Sequence, residues 1–380
     1  MQKMILLKNG TVFTPEYLGK RDILIAGGKI IAVETEIELP SYEFLEAVDL
    51  EMQWVFPGFI DSHIHIAGAG GEGGPATRTP ELNINDIIAG GITSVVGCLG
   101  TDGITRSVAS VLMKAKGLKQ QGISAWIYTG SYQVPPPTIM GSISKDIAMI
   151  DEVIGAGEIA IADHRSSYPS AEQFIAVAQE AKIGGLLGKK AGIVNVHLGE
   201  DEPPFQLIYN AVEKSGIHFK QFLPTHCNRT REVFDESKIY AKHGPIDITT
   251  SSYPYYTDSE VKPSDAFFEF LDAGVSIEHI TFSSDSGGSL PLFDDKGDFV
   301  KIAYGHPNSL LHEILDIIVK DETMTTKAVQ TVTANPANIL KLETKGCIKP
   351  GYDADILVLN PERRGIRYLY ALGRKMIENQ

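Results

Sequence analysis

Asp61-Ser62-His63-Ile64-His65 directly follows the apolar run Trp54-Val55-Phe56-Pro57-Gly58-Phe59-Ile60. Side chains of an extended strand alternate faces, so His63 and His65 project the same way and can present two imidazoles to one metal ion. Further along, His197 follows Ile193-Val194-Asn195-Val196, His226 follows Phe222-Leu223-Pro224-Thr225, and Asp285 follows Phe282-Ser283-Ser284. A short apolar stretch, Ile159-Ala160-Ile161, is bracketed by Glu158 and by Asp163-His164-Arg165. Four histidines with two or more carboxylates suit a pair of borderline divalent ions such as zinc, joined by a bridging carboxylate. Taken singly, each histidine reads as well as a core or strand-closing residue; the ordered set is what points to ligands. The other histidines, at 164, 218, 243, 279, 306 and 312, read as ordinary, with His164 near enough to support a ligand from behind.

Such a set needs a frame that brings strand ends together. From about residue 58, short apolar runs alternate with helix-length amphipathic segments, the pattern of parallel βα units. After Phe59-Ile60 the strand candidates are Ile92–Gly97, Ala125–Tyr128, Ile159–Ile161, Ile193–Val196, Phe222–Pro224, Ile246–Ile248 and Ile280–Phe282. Eight such strands close a (β/α)8 TIM barrel, an α/β fold whose function sits at the C-terminal strand ends, where these polar residues fall. Residues 1–57 instead hold short alternating segments, such as Asp22–Ile25 and Lys29–Val33, that read as antiparallel β structure. After a helical stretch near 308–341, Asp355–Leu359 and Arg367–Ala371 return to strands. The expected organisation is a small β-sandwich module formed by residues 1–57 and 343–380, with the barrel at 58–342 between them.

A length of 380 residues with 43% hydrophobic content is enough for one large core and a smaller module. The formal net charge of -14 argues against nucleic acid or an anionic membrane as a partner. Cys98, Cys227 and Cys347 are scattered without CxxC spacing, which fits a reducing cytoplasm better than a disulfide framework. Cys227 adjoins His226 and reads as a small buried neighbour rather than a nucleophile. The opening apolar run is too short for a signal peptide, and no segment reaches membrane-spanning length without charge or glycine, so a cytoplasmic location is expected.

Gly68-Ala69-Gly70-Gly71-Glu72-Gly73 satisfies G-x-G-x-x-G, yet the residues after it, Gly74-Pro75-Ala76-Thr77-Arg78-Thr79-Pro80, do not open the helix that would hold a pyrophosphate. The chain as a whole resembles the metal-dependent amidohydrolase superfamily, and more narrowly the isoaspartyl dipeptidases. HxH and Ser284-Asp285 carry the broad resemblance. The loop Gly70-Gly71-Glu72-Gly73, Gly100-Thr101-Asp102, Asp163-His164-Arg165-Ser166 and His226-Cys227-Asn228-Arg229 carry the narrow one. The resemblance implies two divalent metal ions, zinc by expectation, on His63, His65, Glu158, His197, His226 and Asp285. It implies a metal-activated hydroxide that attacks the β-peptide bond of a β-aspartyl dipeptide, with Asp285 as acid and base and Tyr132 polarising the carbonyl. Glu72 then meets the substrate ammonium, Arg165, Arg229 and Ser289 meet its carboxylates, and Thr101 adds a hydrogen bond. A homo-oligomer is likewise implied.

The better-known members of that group bridge their metals with a carbamylated lysine, and this chain has no lysine between Lys145 and Lys182. Glu158, after Gly155-Ala156-Gly157, occupies the nearest position and offers a bidentate carboxylate without modification. The rival readings are another amidohydrolase, such as a cyclic-amide hydrolase or purine deaminase, and a non-catalytic dihydropyrimidinase-like assembly protein. Glu72 with two arginines argues against a flat neutral ring, and the intact ligand set argues against a metal-free role.

Overall fold

The computed structural model describes residues 4–40, 42–71, 73–293, 299–360 and 365–379. Eight parallel strands form its centre: β1 (Phe59–Ile64), β2 (Ile92–Gly97), β3 (Ser124–Thr129), β4 (Val153–Ile161), β5 (Ile193–Leu198), β6 (Phe222–Thr225), β7 (Ile246–Thr249) and β8 (Ile280–Ser283). The first six lie side by side in chain order, and β7 pairs with β8. Backbone hydrogen bonds close the ring: Cys227 N donates to Asp247 O at 3.2 Å, Asp285 N to His63 O at 3.0 Å, and His65 N to Ser286 O at 2.8 Å. Apart from Trp126, every residue of these strands is buried, as expected of a parallel sheet covered on both faces.

Helices wrap the ring because their apolar residues recur at helical spacing. In Val108–Gln121 the buried side is Val108, Val111, Ala115 and Leu118. Ser107, Ser170 and Thr230 each accept a backbone N–H at a helix start, Ser170 in a reciprocal capping box with Gln173.

The strand β4 is longer than its sequence suggested. The strand runs back through Gly155 and Gly157, and Glu158 lies inside it rather than ahead of it. A Cβ at Gly157 would stand 2.8 Å from Asn195 Cβ, so the glycine is what lets β4 approach β5. The helical stretch near 308–341 is three helices, Asn308–Lys320, Thr325–Gln330 and Ala334–Ile339. A hairpin of Ser289–Phe293 and Phe299–Tyr304, absent from the expected pattern, follows β8.

The two ends of the chain meet in one eight-stranded sheet, where Trp54–Pro57 pairs antiparallel with Ile356–Asn360. Its pairing is not antiparallel throughout, since Met4–Thr14 runs parallel to both Leu45–Asp49 and Trp54–Pro57. Leu7, Val12, Ile23, Val55, Ile356 and Val358 form the core of this module. Lys345 ties it to the barrel: its buried ammonium contacts Asp353 at 3.1 Å, Asp355 at 2.5 Å and Ser124, the first residue of β3, at 2.6 Å. Two carboxylates around one buried cation supply the pairing that burial demands.

Candidate metal centre and active-site cavity

At the C-terminal mouth of the barrel, one carboxylate sits among four imidazoles. Glu158 Oε2 is 3.3 Å from His63 Nε2, 3.2 Å from His197 Nδ1 and 3.8 Å from His226 Nε2, and Oε1 is 3.4 Å from His65 Nε2. Asp285 Oδ1 stands 3.0 Å from His65 Nε2 and 3.4 Å from His63 Nε2. Two nitrogen or oxygen donors on one tetrahedral zinc lie roughly 3.3 Å apart, and most of these separations are of that size. The donors form two groups, His63, His65, Cys98 and Glu158, and Glu158, His197 and His226, each with all ligand atoms within 4.8 Å of one another. Glu158 belongs to both groups.

The donor set fits a pair of cations. Glu158 Oε1 and Asp285 Oδ1 are fully covered and have no hydrogen-bond partner among the described residues, an arrangement that is costly unless positive charge lies beside them. Burial pushes the Glu158 carboxyl up, but His63, His197 and His226 outweigh it and hold it well below the usual range. Asp285 is likewise held down by His63 and His65 against its burial. The His226 ring is pushed down to about 3 by burial and by His197 and Arg229, which keeps it neutral with a lone pair to share. For His63 and His65 the negative field of Cys98 and Asp285, joined by Glu158 at His63, wins over burial and favours positive charge.

His63 and His226 are aimed from behind. His63 Nδ1 is 2.9 Å from Asn195 Oδ1, whose own amide donates to Leu223 O, so Nδ1 carries the proton and Nε2 faces the centre. His226 Nδ1 lies 2.7 Å from Thr249 Oγ1. Asp61, accepting from Ser284 N and Oγ, locks β1 to β8, and its burial raises its carboxyl to about 7. His226 and Asp285 have φ of 63° and 52°, left-handed values that non-glycine residues adopt at a cost and that turn both side chains inward at the strand ends. Gly100 is permissive in the same place: a Cβ there would stand 2.9 Å from His65 Cε1.

Beside the centre lies a cavity of about 340 Å3, and Thr101, Tyr132, Arg165, Arg229, Asp285 and Ser289 all line it. Tyr132 Oη is 2.8 Å from His197 Nδ1, and burial above all keeps the phenol protonated well beyond its usual range. Arg165 forms a two-point ion pair with Asp163, Nε to Oδ1 at 2.9 Å and Nη2 to Oδ2 at 2.7 Å, and lies over the Tyr132 ring. Arg229 Nη1 is 3.6 Å from the same Asp163. Glu72, expected at the ammonium of a substrate, lies outside the described residues.

One expectation shifts, and two hold. His164 does not stand behind a ligand; its side chain is 85% exposed at the cavity mouth. Cys227 is fully buried and its thiol is pushed up to about 12 by burial, which removes it as a nucleophile at neutral pH. The glycine-rich loop leads only into the single turn Pro75–Thr77, too short to seat a pyrophosphate. Sequence reasoning missed Asn195 and Asp163 as supports, Cys98 beside the HxH pair, and Glu260 in the cavity wall. Asn195 stands two residues before His197 on β5, so strand alternation placed it on the inner face and was a usable signal.

The amidohydrolase family model matches residues 54–376. The crystal structure of β-aspartyl dipeptidase from Fervidobacterium islandicum AW-1 in complex with β-Asp-Leu is 40% identical, with a TM-score of 0.92 over 100% of this chain and 97% of that one. A dihydroorotase of Lactobacillus johnsonii is 23% identical over 94% of this chain and 89% of its own length. An adenine deaminase of Bacillus velezensis is 22% identical over 98% of this chain but only 57% of its own length. Fold, centre and relatives agree: the chain belongs to the amidohydrolase family, as a hydrolytic enzyme of the group that contains the β-aspartyl dipeptidases.

Proposed function

We propose that the protein hydrolyses the β-peptide bond of β-aspartyl dipeptides with two divalent metal ions, zinc by the chemistry of the donors. The observation that carries this reading is the placement of two guanidiniums, Arg165 and Arg229, around the cavity that opens on Asp285, His65, His197 and His226. A β-aspartyl dipeptide has two carboxylates and one ammonium, and planar guanidiniums pair with carboxylates at two points. Adenine offers neither carboxylate. The 40% identity to a protein crystallised with β-Asp-Leu supports the same substrate class.

His63, His65, Glu158 and Asp285 would hold one ion, and Glu158, His197 and His226 the other. When bound, the ions supply Lewis-acid activation of water near neutral pH and polarisation of a carbonyl oxygen. The chain supplies the rest. Asp285, ionised at neutral pH, takes a proton from the attacking water and returns it to the leaving amine, acting as base and then as acid. Tyr132 stays protonated and donates a hydrogen bond to the carbonyl oxygen as negative charge grows there. Arg165 and Arg229, held by Asp163, fix the carboxylates so that the scissile bond stands over the centre.

The test is hydrolysis of β-Asp-Leu against α-Asp-Leu by protein reconstituted with a defined amount of zinc. Turnover confined to the β-linked dipeptide is expected. Turnover of dihydroorotate or adenine, with none of β-Asp-Leu, overturns the reading.

A further inference from the structure

We infer that Glu260 selects dipeptides whose second residue, the one released as a free amino acid, carries a cationic side chain, lysine or arginine. The inference rests on the dipeptidase reading above and deepens it. Glu200, Arg229 and Glu260 all line the cavity, and they follow the consecutive strands β5, β6 and β7 in that order. Arg229 therefore has an acid from the strand end on either side of its own. Hydrogen bonds between neighbouring residues fix Glu260 next to it: Val261 N donates to Asn228 O at 2.9 Å, and Asn228 Nδ2 donates to Val261 O and to Thr249 O, both at 3.1 Å. Asn228 is buried, so the tie between the two strand ends is shielded from water.

The Glu260 carboxylate is not spent on the protein. Its side chain has one hydrogen bond among the described residues, from Ser252 Oγ to Oε2 at 2.7 Å, and no ion pair. Arg229 acts on it through space and makes its own contact with Asp163, at 3.6 Å. A carboxylate partly withdrawn from water without a counter-ion is costly, and a cation brought by the substrate offsets that cost. In an α-amino acid the carboxylate and the side chain leave the same carbon. A leaving residue whose carboxylate pairs with Arg229 therefore starts its side chain beside that guanidinium, and the stem of a lysine or arginine carries its charge to the adjoining acid. The plain alternative is a residue that only closes the cavity wall by accepting from Ser252. That accounts for one of its two oxygens.

The test compares β-Asp-Lys with β-Asp-norleucine, which has the same stem without the charge, on zinc-loaded enzyme at a pH of about 8, where Glu260 is ionised. In the wild type kcat/KM should favour β-Asp-Lys by about tenfold or more, mainly through KM. Glu260→Gln, which keeps the shape, should bring the two substrates to within about twofold of each other. Equal kcat/KM in the wild type, or a preference that survives Glu260→Gln, overturns the inference. A loss of the same size on both substrates overturns it too, because it places Glu260 at the ammonium of the aspartyl unit that they share. In each of these cases β-linked dipeptides are still cleaved and the dipeptidase reading stands; absence of turnover on either substrate and on β-Asp-Leu removes that reading and this inference together.

Discussion

Asp163 Oδ2 lies 3.0 Å from His197 Nε2, the ring nitrogen opposite the one that faces Glu158, and 2.7 Å from Arg165 Nη2. One carboxylate, 3% exposed, therefore orients a ligand of the centre and a guanidinium of the cavity together. Asp163→Asn keeps the shape but removes the charge that holds both. Charge-assisted hydrogen bonds of this kind contribute about 1.5–3 kcal/mol, so KM for β-Asp-Leu should rise by about tenfold or more, with weaker zinc binding alongside. An unchanged KM at full metal loading would show that the arginines hold their places unaided.

Glu158→Ala should cost one of two metal ions and most activity, because among the described residues no other carboxylate reaches all four imidazoles. Since a glutamate needs no carbon dioxide to assemble, reconstitution of the wild type should be indifferent to bicarbonate. Two metals per chain and near-native turnover in Glu158→Ala would exclude it as the bridge.

Asp285→Asn leaves an oxygen near His65 but cannot take up the proton. Turnover should fall by a factor on the order of 10² or more while at least one metal remains, measured by metal analysis beside steady-state rates.

Tyr132→Phe removes one donor to the developing oxyanion. The loss should appear in kcat, about 10²-fold or more, with metal content preserved. A variant that chiefly loses metal would place Tyr132 among the structural contacts of His197.

Glu260 lines the cavity, and burial raises its carboxyl to about 7 against the pull of Ser252 and Arg229. Below pH 7 it is protonated and leaves the Arg229 field intact; above pH 7 its negative charge offsets that field and weakens the grip on a substrate carboxylate. KM should therefore rise as pH passes from about 6 to 8, and Glu260→Gln should flatten that limb. A rise of the same size in the variant would assign it to another group.

The strand order and the HxH, His197, His226 and Asp285 positions were legible because parallel strands are buried on both faces and leave polar residues only at their ends. Glu158 was legible by its chemistry but placed ahead of its strand, because only Ile159–Ile161 carries the apolar signal and the glycines that extend the strand carry none. Asp163, Cys98 and Glu260 were harder. Asp163 takes its role from contacts across 34 residues to His197, and Cys98 lies beside His63 across 35 residues. Spacing along one strand does not report such pairings. Among the described residues the hairpin after β8 pairs only within itself, and its alternation was too short to stand out.

The strand Trp54–Pro57, which leads straight into the HxH segment, completes its pairing only with Ile356–Asn360, some three hundred residues later. A nascent chain therefore keeps this edge open until Ile356–Asn360 has been made, long after the HxH strand that follows it has met β2 and β8. Long-range pairing of this kind is slow and leaves apolar edges open meanwhile. His63 and His65 themselves are flanked on both sides once β8 and the residues after it are made, since Asp285 N donates to His63 O and His65 N to Ser286 O.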